Sequence, residues 1–281
     1  MQQIKKYQKI TLKELQNIFL VRFKEVIEFL DQNNIEYFAI GGTALGAFRH
    51  HGFISWDNDN DIDLGMTREN YLSFLKIAHQ LENDHFLVLG YLFSSPVEHG
   101  LIKLGLKGTY CPERSLKKKY DTHYHIDIFP YDSVSDDQRL AYQHACDAKK
   151  IKDKLYYKSK RGASSLAKRI ALPFYQSILL HYSSNKLANK LDCLAQKYNE
   201  AESNSQYVTN LMGAYSYEKE KVLRENIGHP IEMDFDGLKI KVPAKCADFL
   251  KDVYGPNFMT PADVRLDMNQ YYALIEKDFK I

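Results

Sequence analysis

Cysteine is scarce in this sequence, and the few cysteines are not paired. Cys111, Cys146, Cys193 and Cys246 are the only four, they are far apart, and none forms a CxxC motif. Closely spaced cysteines are typical of zinc and redox sites, so neither kind of site is predicted. Unpaired cysteines favour free thiols in a reducing compartment.

Long apolar runs and a strong net charge are also absent. No run approaches the roughly 20 apolar residues of a membrane-spanning helix, and the first ten residues, MQQIKKYQKI, lack the apolar stretch of a signal peptide. The net charge is only +2, so no nucleic acid partner is expected. With 44% apolar residues in 281, the chain is expected to fold around a core, as a cytoplasmic protein.

The chemistry that is present concentrates in residues 40–65, IGGTALGAFRHHGFISWDNDNDIDLG. An apolar strand, expected over residues 35–40, leads directly into Gly41, Gly42 and Thr43 at the start of a short helix. Glycine lets the backbone approach a phosphate closely, and free N–H groups at a helix start attract anions. The GGT motif therefore predicts a phosphate-binding site.

Four carboxylates, Asp57, Asp59, Asp61 and Asp63, occupy alternate positions in the same stretch. In a strand, Asp61 and Asp63 would share one face with Cα atoms roughly 6.5–7 Å apart. Carboxylates at that spacing can hold hard cations through oxygen. A solvated acidic turn is the alternative for an isolated DxD. A calcium loop is disfavoured, because its sixth glycine and twelfth glutamate are missing.

A second chemical motif, HYHIDIF, covers residues 123–129, where His123, His125 and Asp127 alternate onto one face. Asp127 could complete the carboxylate set around a metal, or take the proton of an incoming hydroxyl. For the two histidines, substrate contact and simple packing both remain open.

Other candidate substrate-binding residues flank these motifs. Arg49, His50 and Trp56 lie in a loop predicted beyond the short helix. Lys103 lies in a strand expected over residues 101–106, which is expected to pair with a strand beginning near residue 85. It is either an exposed strand lysine or a partner for phosphate charge.

The remaining predicted elements are a helix from a Thr11–Glu14 capping box to about residue 34, a helix capped by Thr67, a helical region over 136–198, a hairpin over 231–242 and a short helix over 247–254. In the second helix, the residues expected to face inward are Leu72, Leu75, Ala78 and Leu81. Residues 149–169 are rich in lysine and arginine. They predict either a solvated helix face or a surface that meets anionic lipid or an acidic glycan.

Taken together, the motifs resemble those of the LicD family, which includes phosphocholine transferases that decorate bacterial surface glycans. They are more distantly similar to fukutin-related proteins, which transfer ribitol phosphate. The matching segments are GGTALGAFRHHGFISW (41–56), DIDLGM (61–66), HIDIFPYD (125–132) and a C-terminal stretch over 235–261. The resemblance spans nearly the whole chain and is weakest over 136–233.

The resemblance implies an α+β fold within a single catalytic domain. A nucleotidyltransferase-like core with a small mixed sheet flanked by helices is expected over 10–135, and a mostly helical C-terminal subdomain with a hairpin over 136–281. It makes Asp61, Asp63 and Asp127 the metal ligands and catalytic residues, and the GGT motif the site for the donor phosphate. The run between tryptophan and DxD is about two residues longer than is usual in the family. Asp59 is therefore a further possible ligand.

The function implied is a phosphotransferase dependent on Mg²⁺ or Mn²⁺. It would move an alcohol phosphate, phosphocholine first, from a CDP-alcohol to a sugar hydroxyl of lipopolysaccharide, capsule or teichoic acid, releasing CMP. The alternatives are a ribitol- or glycerol-phosphate transferase, an NTP-dependent nucleotidyltransferase, and a non-catalytic glycan-binding member. Peripheral contact with the inner face of the membrane is a further expectation. Aromatic candidates for holding choline are Trp56, Tyr110, Tyr124 and Tyr131.

Overall fold

A computed structural model describes residues 6–56, 61–90, 102–111, 117, 123–163, 165–213, 215–261 and 272–279. Asp57 and Asp59, the two acidic residues with open roles, lie outside the described residues. Within the described part of the chain, no helix is both long and apolar enough to cross a membrane.

The strands are β1 (Tyr7–Ile10), β2 (Phe38–Ala39), β3 (Ile62–Thr67), β4 (Phe86–Leu89), β5 (Ile102–Leu106), β6 (Thr109–Tyr110), β7 (His125–Ser133), β8 (Tyr207–Thr209), β9 (Lys221–Leu223), β10 (Ile231–Phe235), β11 (Leu238–Val242) and β12 (Ala273–Glu276). The α-helices are α1 (Leu12–Gln32), α2 (Gly41–His50), α3 (Arg68–Ile77), α4 (Gln138–Ser159), α5 (Leu166–Leu179), α6 (Ser184–Ala195), α7 (Tyr217–Glu220), α8 (Arg224–Ile227) and α9 (Cys246–Tyr254).

The central sheet has the strand order β2-β3-β7-β5-β4, and β8 and β9 extend it from β7. Strands β3 and β7 are parallel, whereas the other pairs of this sheet are antiparallel. A separate sheet joins β1, β12 and β6, and β10 and β11 form the predicted hairpin. The mixed sheet flanked by helices confirms the α+β character expected from the sequence.

Helix α1 begins with the predicted capping box. The Thr11 hydroxyl accepts from the Glu14 backbone N–H at 3.2 Å, and the Glu14 carboxylate accepts from the Thr11 N–H at 2.7 Å. This reciprocal arrangement satisfies donors that a helix start otherwise leaves unpaired. Three residues on one face, Phe19, Phe23 and Leu30, are fully buried.

Helix α3 is capped as predicted, because the Thr67 side chain accepts from the Asn70 N–H. The expectation that Leu72 faces inward is wrong, since that side chain is 39% exposed. Tyr71 and Phe74 face the core instead. Ala78 and Leu81, which follow the helix, are buried as expected, and Leu75 is partly buried.

The main core draws on both halves of the chain. Strand residues such as Ile62 and Ile128 share one cluster with Ile240 and Phe249 from the C-terminal half. A smaller cluster is built mainly by α4 and α6. The predicted subdomain boundary at 135/136 stays a prediction.

A buried ion pair joins the central sheet to the helical region. The guanidinium of Arg68 donates to both carboxylate oxygens of Asp132, at 2.7 and 2.6 Å, and to Asp192 of α6 at 2.7 Å. Asn199 donates to the same Asp132 carboxylate at 2.7 Å. Because this carboxylate has no exposure of its own, its charge depends on these donors.

Candidate active site

The strand register gathers the candidate residues on one face of the central sheet. Asp63 of β3 lies opposite Asp127 of β7, and Lys103 of β5 lies opposite the same Asp127. Residues in register on neighbouring strands point the same way, so these three side chains form a row. Asp61 precedes Asp63 by two residues, and His125 precedes Asp127 by two residues, so both lie on the same face.

Lys103 is buried within this row. Its ammonium group donates to Asp127 Oδ2 at 2.9 Å and to His125 Nε2 at 2.8 Å, and only 6% of the residue is exposed. The interpretation of Lys103 as an exposed strand lysine is therefore wrong. The ammonium compensates the charge of a carboxylate that is itself only 5% exposed.

The hydrogen bonds of His125 assign its tautomer. A lysine ammonium can only donate, so the Nε2 atom that faces Lys103 carries the lone pair. The other nitrogen, Nδ1, lies 3.0 Å from the His123 carbonyl oxygen and donates to it. An imidazole fixed by a backbone carbonyl in this way is typical of metal-binding histidines, but the Nε2 lone pair here accepts from Lys103, so a cation would bind His125 only in place of that hydrogen bond. His123 itself contacts the Thr109 carbonyl, outside the row.

The group formed by Asp61, His125 and Asp127 fits a divalent cation. Each offers one ligand atom, and these atoms lie within 4.8 Å of one another. Asp127 Oδ1 is buried and has no hydrogen-bond partner among the described residues. Leaving a buried carboxylate oxygen unpaired is costly, and a cation would remove that cost. The two carboxylate donors suit Mg²⁺ or Mn²⁺.

Asp63 points from this group toward the start of helix α2. Its Oδ2 atom lies 2.9 Å from the position that a Cβ atom on Gly41 would occupy. Gly41 also has a φ of +54°, so glycine is required both for backbone conformation and for space. Burial, together with the charges of Asp61 and Asp127, raises the pKa of Asp63 well above its ordinary value.

Helix α2 begins at Gly41, as the sequence predicts, and no side chain caps its first turn. The N–H groups at such a start are available to an anion. Thr43 is buried, and its hydroxyl accepts from the Asp63 backbone N–H at 2.9 Å. The GGT motif thus joins the helix start to the acidic strand. Its role toward a phosphate stays a prediction.

Arg49, His50 and Trp56 form a separate cluster. The sequence predicts a loop for Arg49 and His50. This prediction is wrong, because both residues belong to the last turn of α2. At 1.5 Å per residue, Arg49 lies about 12 Å along the helix from Gly41. Arg49 donates to His50 Nε2 at 2.8 Å and to the Phe258 carbonyl at 2.7 Å, and the His50 and Trp56 rings are 5.1 Å apart.

A cavity of about 630 Å³ lies between α4 and the segments 210–213 and 215–218. Its walls carry tyrosine rings and charged groups, among them Tyr156 and Lys152. Tyr215 lines this cavity, and burial together with the negative charges of Asp63 and Glu220 raises the pKa of its hydroxyl. The cavity was not predicted from the sequence.

The four aromatic residues proposed from the sequence do not line this cavity. Tyr131 is buried in the core, Tyr124 packs edge-on against Phe19, and Tyr110 stacks on Tyr7 at 5.0 Å. Trp56 packs against His50, in the cluster at the far end of α2.

Glu220 is buried beside the cavity, and burial raises its pKa to about 7. The nearby Lys152 opposes that rise. A side chain on Gly213 would collide with the Glu220 carboxyl group, so a glycine is needed there.

Replacing Glu220 by glutamine is expected to flatten the pH dependence of stability. The pKa rises from 4.5 to about 7 on folding. The protonated carboxyl therefore stabilises the fold fully below pH ~4.5, and this contribution, about 2–3 kcal/mol, is lost as pH rises through ~7. Urea unfolding at pH 5 and pH 8 measures it. The exposed Glu200→Gln variant is the control, and an equal difference between wild type and Glu220→Gln at both pH values would contradict the assignment.

Comparisons with known proteins agree with the motifs. The profile described as LicD/FKTN/FKRP, nucleotidyltransferase domain, matches residues 34–173. The chain is 24% identical over 257 residues to the lipopolysaccharide cholinephosphotransferase LicD of Haemophilus influenzae, a match that covers 91% of this chain and 94% of that protein.

Shorter matches involve two uncharacterized rickettsial proteins. Those of Rickettsia prowazekii and Rickettsia typhi are each 34% identical, over 102 and 137 residues. The matches cover 36% and 46% of this chain, and 35% and 38% of the two relatives. The match over nearly the whole Haemophilus protein, together with the family profile, makes the chain a LicD-type transferase. It belongs to the LicD family, as the motifs had indicated.

Proposed function

We propose that the protein is a metal-dependent phosphotransferase that moves phosphocholine from CDP-choline to a sugar hydroxyl of a bacterial surface glycan. The observation that carries the proposal is the group of three carboxylates, Lys103 and His125 on one sheet face beside an uncapped helix start. The name of the Haemophilus relative supports choline phosphate as the group and lipopolysaccharide as the acceptor. The description of the matched domain supports a nucleotidyltransferase-like core.

A divalent cation, Mg²⁺ or Mn²⁺, held by Asp61 and Asp127 would supply positive charge to the phosphate oxygens. His125 Nε2 would join them where the cation replaced its hydrogen bond from Lys103, and Asp63, which points toward the start of α2, stays a predicted ligand. Lys103 donates a hydrogen bond to Asp127 Oδ2. The other carboxylate oxygen, Oδ1, has no hydrogen bond among the described residues and would face the proposed cation. The role of Asp127 as the base for the incoming hydroxyl stays a prediction.

The reaction exchanges one phosphorus–oxygen bond for another. The acceptor oxygen attacks the phosphorus atom that carries the alcohol, the bond to CMP breaks, and the hydroxyl proton is released. The helix start at Gly41 and Gly42 would hold a donor phosphate through backbone N–H groups. Chemistry of this kind depends mainly on positioning and on stabilisation of charge.

We assign the acceptor to the cavity lined by α4. Two observations support this assignment: the charge of Asp63 contributes to the raised pKa of the lining residue Tyr215, and the cavity's tyrosines combine apolar rings with hydrogen-bonding hydroxyls, which suits a polar sugar with apolar faces. Among the described residues no disulfide joins any of the four cysteines, which supports a reducing compartment, and we propose the cytoplasm.

The donor assay tests the reaction class. Purified protein is expected to release CMP from CDP-choline when Mg²⁺ or Mn²⁺ and a lipopolysaccharide acceptor are present, and the acceptor should gain the mass of phosphocholine. CDP-ribitol and CDP-glycerol serve as matched donors. Preference for a polyol would overturn the choice of choline, and pyrophosphate release from an NTP would replace the reaction. Absence of CMP from every donor would reject phosphotransfer.

Replacing Asp61, Asp63 or Asp127 by asparagine should reduce turnover at least ~100-fold, because a preorganised charge at the reacting phosphate is lost. Asp127→Asn should also weaken Mn²⁺ binding in isothermal titration without nucleotide. Asp234→Asn, at an exposed surface ion pair, is the control. Near-normal turnover with intact metal binding would discard this centre. A variant that only melts at lower temperature would make that carboxylate structural.

Alkylation of Cys146 tests the acceptor site, because this thiol lines the cavity while Cys193 is exposed elsewhere. Saturating acceptor is expected to slow alkylation of Cys146 several-fold and to leave Cys193 unchanged. Mass spectrometry of the two peptides reports both rates in one sample. Equal rates for Cys146 with and without acceptor would remove the acceptor from this cavity.

A further inference from the structure

Helix α5 presents an apolar face to solvent. Ile170 and Phe174 are each 72% exposed and Ile178 is 44% exposed. These three residues, here called the α5 stripe, are four positions apart and so lie on one side of the helix. Leu180, directly after the helix, is 78% exposed.

The opposite side of α5 packs against the protein. Leu172 and Leu179 are buried, and the Gln176 side chain donates to the carbonyl groups of Tyr157 and Lys160 at 2.8 and 2.7 Å. These contacts fix the helix against the end of α4 with its stripe outward. A helix that is packed on one side and apolar on the other has a second surface to cover.

The surrounding sequence is strongly basic. Residues 149–190 contain eleven lysines and arginines and a single acidic residue, Asp153, which gives a net charge of +10 in a chain whose total is +2. Any partner of the stripe must therefore approach through a positive field. This field disfavours a second copy of the chain and favours an anionic surface.

The lysines of α4 within the basic region 149–169 already have partners inside the protein. Lys149 pairs with Asp153 at 2.7 Å, and Lys152 donates to the Gly213 carbonyl at 2.8 Å. The basic side chains nearer the stripe are exposed and have no ion-pair partner within the described residues; they are Arg161, Lys168 and Arg169.

We propose that α5 binds in the plane of an anionic membrane interface, with the α5 stripe at the boundary of the acyl chains and the nearby basic residues among the lipid phosphates. Apolar residues on one side combined with clustered basic charge are the features of interfacial helices. The proposal adds to the proposed function a means of holding the enzyme beside a lipid-linked acceptor. Its test does not depend on catalysis.

Vesicle co-sedimentation tests the proposal with the full chain. Wild type should bind phosphatidylglycerol-containing vesicles and bind pure phosphatidylcholine vesicles more weakly. Ile170→Glu/Phe174→Glu should lower the partition coefficient at least ~10-fold. The triple change Arg161→Gln/Lys168→Gln/Arg169→Gln should reduce binding to anionic vesicles only. Val21→Glu is the matched control, because Val21 is a 41% exposed residue on α1.

Fluorescence locates the helix directly. In Phe174→Trp, emission should shift to the blue on vesicle addition and be quenched by brominated acyl chains, beyond the response of Trp56 in wild type. No binding by wild type, unchanged binding by the double variant, or an unquenched tryptophan would overturn the proposal. So would light scattering that shows a dimer abolished by Phe174→Glu without vesicle binding. Vesicle binding without CMP release would reject only the proposed function.

Discussion

The parallel pairing of β3 with β7 is the constraint on which the candidate site depends. It sets Asp63 beside Asp127, and β5 then adds Lys103 to the same row. The alternate residues of both acidic strands, such as Ile62 and Ile128, are fully buried on the other face. Slipping one strand by a single residue would turn a carboxylate into the apolar core and an isoleucine toward the charged row, so the hydrophobic core fixes the register of the charged groups.

Charge balance is the second constraint. Asp61, Asp63 and Asp127 lie close together around one lysine, and burial together with the charges of the other two carboxylates raises the pKa of Asp63. Lys103 compensates Asp127 through Oδ2, whereas Oδ1 is left without a hydrogen bond among the described residues. Such an arrangement is costly for folding alone, and it becomes favourable when a cation and an anionic substrate complete it. Binding of a cation and an anionic substrate would therefore offset the free energy that folding loses by burying these charges.

The sequence predicted correctly those elements whose structure depends only on neighbouring residues. The Thr11–Glu14 capping box, the Asp236–Gly237 hairpin and the strand alternation around Asp127 all appear as predicted. Each depends on neighbours within a few residues. The strand before the glycines is shorter than expected, because only Phe38 and Ala39 pair with β3.

Features that depend on distant packing could not be predicted in this way. The burial of Lys103 requires β5 to pair with β7, and the lone pair on His125 Nε2 that accepts from Lys103 follows from the hydrogen bond of Nδ1 to a backbone carbonyl. The HxD alternation could have suggested His125 as a ligand. The α4 cavity joins segments about sixty residues apart. The basic region was recognised, but the outward side of α5 depends on which residues pack against α4.

The most direct test of the carboxylate centre is the position of a bound ion. Crystals grown with Mn²⁺ and a non-reactive CDP-alcohol analogue, measured for anomalous scattering at the manganese edge, would show it. The expected result is a peak within coordination distance of Asp61 and Asp127, on the face of the sheet that carries Lys103. A peak elsewhere, with no manganese between these two carboxylates, would contradict the assignment.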